Sequence, residues 1–153
     1  MTNWVSNHLQ IVGEPEKIAA VLAEFVIDTT MDNSIDFAGI SGTTDRPSWA
    51  RFTVVNYTPG STYADIYYET PWSPAYKALK LMSGRHPDVH FICVCSDWLA
   101  CWEAYFSLIN GEDIRGHCEE IHNDYDGTPY QTTWYDHAIG EDGQPVLCDG
   151  SEA

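Results

Sequence analysis

The run over residues 89–95 constrains this chain more than any other segment. Val89, Phe91, Cys93 and Cys95 fall on one face of an extended strand, and Ile92 and Val94 fall on the other. Apolar groups on both faces read as a strand covered on both sides. The remaining segments must supply its neighbours. Residues 7–12 alternate as well, with Leu9 and Ile11 on one face and His8 and Gln10 on the other, and Gly13 ends the run. Glu14 and Pro15 then open a helix, because proline is tolerated where the first N–H has no intrahelical partner. Its stripe is Ile18, Val21, Leu22, Phe25 and Val26.

Residues 51–57 and 63–70 alternate around Thr58, Pro59, Gly60 and Ser61, which is turn chemistry, and so predict an antiparallel hairpin. Phe52 and Val54 would face the core from its first strand; Ala64, Ile66 and Tyr68 would do so from its second. Ser73 as N-cap and Pro74 begin a second helix with the stripe Ala75, Ala78, Leu79 and Met82, stopped by Gly84 and Pro87. The order strand, helix, strand, strand, helix, strand predicts an α+β fold: a ferredoxin-like βαββαβ antiparallel sheet with two helices on one face. Residues 102–109 and 114–121 flank Asn110 and Gly111, a dipeptide suited to positive φ, and predict an added C-terminal β-hairpin. Residues 1–121 therefore read as one domain with its hairpin, and 122–153 as an acidic, aromatic-containing extension docked on it. Residues 28–48 are polar and small, a long loop with at most a short strand near Ile35 to Ile40, and loops of that length often serve recognition.

With 153 residues, 44% hydrophobic and 13% aromatic, one compact domain is expected. A net charge of −16 opposes nucleic-acid binding, which needs clustered Lys and Arg. No apolar run reaches the ~18 residues of a membrane span. Residues 1–13 lack the pattern of a signal peptide, so a cytoplasmic protein is expected. Five cysteines, an odd number, argue for reduced thiols over a disulfide framework.

Met1, Asn3, Trp4, Asn7, Leu9, Val12 and Gly13, followed by Thr70, Trp72, Ser73 and Pro74 and then His86, Pro87 and Asp88, carry a family likeness. The chain resembles the YubB-type ferredoxin-like domain family, encoded largely by plasmids and phages, over about residues 1–15 and 62–121. Val5 stands where that pattern leads one to expect Cys. The resemblance implies a fold and a mobile-element setting in a bacterial host, and no catalytic residues.

No catalytic constellation stands out. Adjacent carboxylates on a strand point to opposite faces, so neither Glu112 with Asp113 nor Glu119 with Glu120 makes an acid–base couple. Gly39, Gly42 and Gly60 lack the strand-to-helix setting and the Lys of a phosphate loop. Asp124, Asp126 and Gly127 echo a calcium loop whose first and twelfth places, His122 and Thr133, are not carboxylates. Cys93, Cys95, His117 and Cys118 would form a metal site only if strand and hairpin met face to face. No enzyme activity and no cofactor are expected.

The acid distribution says more. Residues 1–111 hold 12 acidic and 6 basic groups, whereas 112–153 hold 11 and 1. Glu112, Asp113, Glu119, Glu120, Asp124, Asp126, Asp136, Glu141 and Asp142 would form a dense negative surface, with Tyr130 and Trp134 as interface anchors. Together with the resemblance, this surface predicts a non-enzymatic binding protein of phage or mobile-element origin. Its partner would be a basic host protein or nucleoprotein complex of nucleic-acid-handling defence, so that anti-CRISPR or anti-restriction action follows from occupying phosphate positions. The alternatives are a small metal- or ligand-binding module, and a homodimer or larger self-assembly through an exposed sheet edge.

Overall fold

The computed structural model describes residues 2–42, 47–114, 121–123, 131–133 and 137–147. In chain order these form β1 (Trp4–Val12), α1 (Pro15–Leu22), β2 (Ile27–Asp28), β3 (Ser34–Asp36), α2 (Phe37–Ser41), β4 (Trp49–Asn56), β5 (Tyr63–Pro71) and α3 (Tyr76–Arg85). There follow β6 (His90–Asp97), β7 (Trp102–Ile109), β8 (Glu112–Asp113), β9 (Ile121–Asn123), β10 (Gln131–Thr133), β11 (His137–Ile139) and β12 (Pro145–Leu147). One sheet runs β12-β11-β7-β6-β1-β5-β4-β3-β2, with β8 also paired to β7, while β9 and β10 form a separate two-stranded sheet.

This arrangement corrects the expected fold class. A ten-stranded mixed sheet with three short helices replaces the ferredoxin-like sheet with two helices. Two segments make the difference. Residues 28–42 hold more than a loop with a short strand: β3 is that strand, at Ser34–Asp36, and α2 follows it, with Ile35 and Phe37 fully buried. Burying side chains of that size contributes roughly 1.5–3 kcal/mol each, enough to fold β3 onto β4 and α2 beneath it. On the other side, β11 joins β7 in parallel and places His137, Ala138 and Ile139 in the interior.

The core lies between one sheet face and the helices. Val5, Leu9 and Ile11 of β1 meet Ile18 and Val21 of α1, Phe37 of α2, and Ala78, Leu79 and Met82 of α3. Val89, Phe91, Cys93 and Cys95 are buried on that face as expected, whereas Ile92 and Val94 are only half-buried on the other, which corrects the expectation of cover on both sides. The outermost strands of the described sheet are short, two residues at β2 and three at β12.

Four local expectations also change. Phe52 and Val54 point outward, because a bulge between Arg51 and Val54 shifts the parity of β4 and turns Thr53 inward. The bulged N–H groups of Phe52 and Thr53 donate to the carbonyls of Asp32 and Asn33. Val26 is 75% exposed, because α1 stops at Leu22. Ser73 does not cap α3, which begins at Tyr76 with no side-chain cap. Among the described residues the partner of β7 beyond the Asn110–Gly111 turn is Glu112–Asp113, and Ile121 pairs within the separate sheet instead.

Candidate functional site

Two surface features carry chemistry, one expected and one not. The expected one is acidic. Asn110 and Gly111 turn the chain with φ of 51° and 77°, and the Gly111 N–H donates to Ser83 Oγ at 3.0 Å. The turn delivers Glu112 and Asp113 beside α3, where the Tyr76 hydroxyl donates to Asp113 Oδ2 at 2.9 Å. Tyr76 is held edge-on to Phe106 at 5.0 Å, and Lys80 Nζ lies 5.6 Å from its ring centroid. The β11–β12 turn closes through Gly143 N–H to Gly140 O and Gln144 N–H to Asp142 Oδ1. It brings Glu141 to the same open cleft as Glu112 and Asp113, with a volume of about 460 Å³. Asp142 is the next residue in that turn and is exposed. Glu119, Glu120, Asp124, Asp126, Tyr130, Trp134 and Asp136 lie outside the described residues.

Cys93 and Cys95 lie in the helix-covered core. Burial, with Cys95 beside it, pushes the Cys93 thiol well above its ordinary range, which keeps it protonated and a poor ligand or nucleophile. Among the described residues no group of three His, Cys, Asp or Glu could hold a metal ion. His117 and Cys118 lie outside the described residues.

The second feature is a rim of tryptophans. Strand register brings the ends of five neighbouring strands together: β7 starts at Trp102, opposite the end of β6 at Asp97; β1 starts at Trp4, opposite Pro71; β4 starts at Trp49. Trp98 and Trp72 directly follow β6 and β5. Five of the six tryptophans thus line one end of the sheet, across about 19 Å at the usual strand spacing. Trp102 is buried, whereas Trp49, Trp72 and Trp98 are 43%, 55% and 83% exposed. Beside Trp98, Leu99 is also exposed, and the buried Asp97 holds this turn by accepting the Leu99 and Ala100 N–H groups, each at 3.0 Å.

Trp4, Trp49 and Trp72 line a cleft of about 570 Å³, together with Pro47, Pro71 and Gln144. Trp4 and Trp49 meet edge to face at 5.5 Å. The Arg51 guanidinium lies 3.4 Å over the Trp4 ring and 4.4 Å over the Phe52 ring, while its Nε donates to Glu69 Oε1 at 3.0 Å. Farther along the open sheet face, His8 stacks on Tyr67 at 4.4 Å and pairs with Asp65 at 2.8 Å.

Two of these aromatic residues stand in left-handed backbone, Trp72 at φ 68° and Phe52 at φ 56°. That conformation costs roughly 1–2 kcal/mol for a residue with a Cβ, and glycine or asparagine is the usual occupant. Trp72 is fixed in it from below. Its N–H donates to Asn3 O at 2.7 Å, and Ser73 N–H donates to Pro71 O at 2.8 Å. Thr70 Oγ1 donates to Ser73 O at 2.8 Å and accepts from Asn7 Nδ2 at 2.9 Å, all within buried groups. A buried polar chain from β1 through β5 therefore holds an exposed indole in a strained turn, and strain of this kind collects at functional positions.

Residue patterning did not point to this rim. The tryptophans occupy five separate places in the chain, and the one available signal was that each lies at a strand end. No family model, curated protein or solved structure matches this chain.

Proposed function

We propose that this chain is a non-enzymatic binding protein that engages a basic surface on a protein or nucleoprotein partner. The observation that supports it is the convergence of carboxylates from two separate chain segments on one cleft. At the cleft, Glu112, Asp113 and Glu141 converge, and Lys80 is the basic side chain among its described lining residues. Like charges gathered from two chain segments repel one another, and a basic partner relieves that repulsion while being steered to the site.

The partner class that fits is a nucleic-acid-handling defence complex, a CRISPR effector or a restriction enzyme, whose Lys and Arg channel binds phosphates. The mobile-element setting of such an inhibitor rests on the resemblance of residues 1–15 and 62–121 to the YubB-type family, whose ferredoxin-like fold this chain does not share. A panel of these effectors loaded with fluorescent DNA tests the proposal. The protein should displace DNA from at least one of them, with an association rate that falls steeply as salt rises. The combined variant Glu112→Gln, Glu141→Gln, Asp142→Asn should associate at least fivefold more slowly and respond less to salt. Displacement from none, or an unchanged rate in the variant, would refute it.

A further inference from the structure

We propose that the tryptophan rim is a second binding site, one that takes arginine side chains of a protein partner. It shares with the acidic cleft only the sign of the partner's charge, and it uses none of that cleft's carboxylates. The chain itself supplies the model occupant. Arg51 lies over Trp4 and near Phe52 while Glu69 accepts its Nε–H, a guanidinium cradle built from two aromatic rings and one carboxylate. Next to this cradle, Trp49 and Trp72 expose further indole surface around a cleft of about 570 Å³. That volume suits a side chain with its adjoining backbone rather than a lone ion. Gln144 and Ser48 bring an amide and a hydroxyl to its wall, suited to the several N–H donors of a guanidinium.

The net charge of −16 raises the local concentration of cations and disfavours phosphate-bearing ligands and anionic membranes. Arginine fits better than lysine, because its planar and weakly hydrated head stacks on indole whereas an ammonium holds its water. Holding Trp72 in left-handed backbone keeps an aromatic residue exposed at a turn where glycine or asparagine would be less strained.

The test uses the whole protein and a capped peptide alternating three arginines with glycines, its lysine counterpart, a neutral proline-rich peptide, and phosphatidylcholine vesicles. Binding is followed by calorimetry and by tryptophan fluorescence. The arginine peptide should bind saturably and at least fivefold more tightly than the lysine peptide. Trp49→Ala and Trp72→Ala should each weaken it about tenfold, and Trp72→Tyr by no more than about threefold. Denaturant midpoints show that each variant is folded, and Trp49→Ala serves as an independent witness if Trp72→Ala rearranges its turn. The combined Glu112, Glu141 and Asp142 variant should bind the arginine peptide within twofold of the parent, so failure of the acidic-cleft proposal is read separately. Equal affinity for arginine and lysine, parent-like binding by both tryptophan variants, absence of saturable binding, or preference for the proline peptide or the vesicles would each overturn the proposal.

Discussion

Replacing Thr70 by valine tests whether the buried polar chain beneath Trp72 does what the geometry implies. Valine matches threonine in shape and burial, so the change removes one hydroxyl and little else. Two hydrogen bonds go with it: the one to Ser73 O at 2.8 Å and the one from Asn7 Nδ2 at 2.9 Å. Each is worth about 1 kcal/mol net, and an unsatisfied buried donor costs about 1–3 kcal/mol. Asn7 Nδ2 keeps its bond to Val5 O at 3.0 Å, which limits the loss on that side. The sum is roughly 2–3 kcal/mol, or about 4–12 °C in melting temperature for a chain of this size. Thr70→Ser keeps the hydroxyl and removes one buried methyl, about 0.8 kcal/mol. Urea unfolding of the three proteins, followed by tryptophan fluorescence, measures the contrast. The valine variant should also shift the folded-state emission, since the Trp72 turn loses its support. A serine variant as unstable as the valine one would refute the reasoning, because packing rather than the hydroxyl would then fix the turn.

Two further predictions concern backbone and charge. Gly84 and Gly111 touch across the α3–β8 junction, yet alanine should have opposite effects at them. At Gly84 a Cβ meets Gly111 Cα at 3.9 Å, an ordinary contact within a helix, so Gly84→Ala should stabilise by about 0.5–1 kcal/mol. At Gly111, with φ 77°, a Cβ would lie 3.4 Å from Gly84 Cα, and Gly111→Ala should destabilise by about 1–2 kcal/mol. Denaturant midpoints of equal sign would contradict this.

Glu24 provides a pH test. Burial pushes its carboxyl up, but hydrogen bonds from His86 and Arg85 outweigh that and hold it below its ordinary value of 4.5. The unfolded chain therefore takes up the proton first. The stabilisation is complete above about pH 4.5 and is lost as pH falls through the lower folded value. The stability difference between the parent and Glu24→Gln should shrink as pH drops from 6 to 3, and a constant difference would refute the assignment.

By itself, the sequence determined the elements whose signals are local. Period-2 burial placed Leu9, Ile11, Ala64, Ile66, Tyr68, Phe91 and Cys93 inside, and the α3 stripe of Ala78, Leu79 and Met82 is buried as spaced. Asn110 and Gly111 took up positive φ because their own conformational preferences favour it. Gly13 and Pro15 marked a strand end and a helix start for equally local reasons. Charge, too, was legible as a total and in its bias toward the C-terminal quarter.

The tertiary structure decided everything that depended on distant partners. Residues 34–41 carry weak propensity for strand or helix, and the core waiting for Ile35 and Phe37 decides them as β3 and α2. The bulge that turns Phe52 outward depends on the carbonyls of Asp32 and Asn33, about 20 residues away. His137, Ala138 and Ile139 form a strand because the free edge of β7 can satisfy their backbone. The tryptophan rim is the fullest case. Each of its five residues begins or follows a strand for its own local reason, and only the register of β7, β6, β1, β5 and β4 sets those strand ends side by side. Register is a long-range property, fixed by which faces are buried together, so no window along the chain contains it.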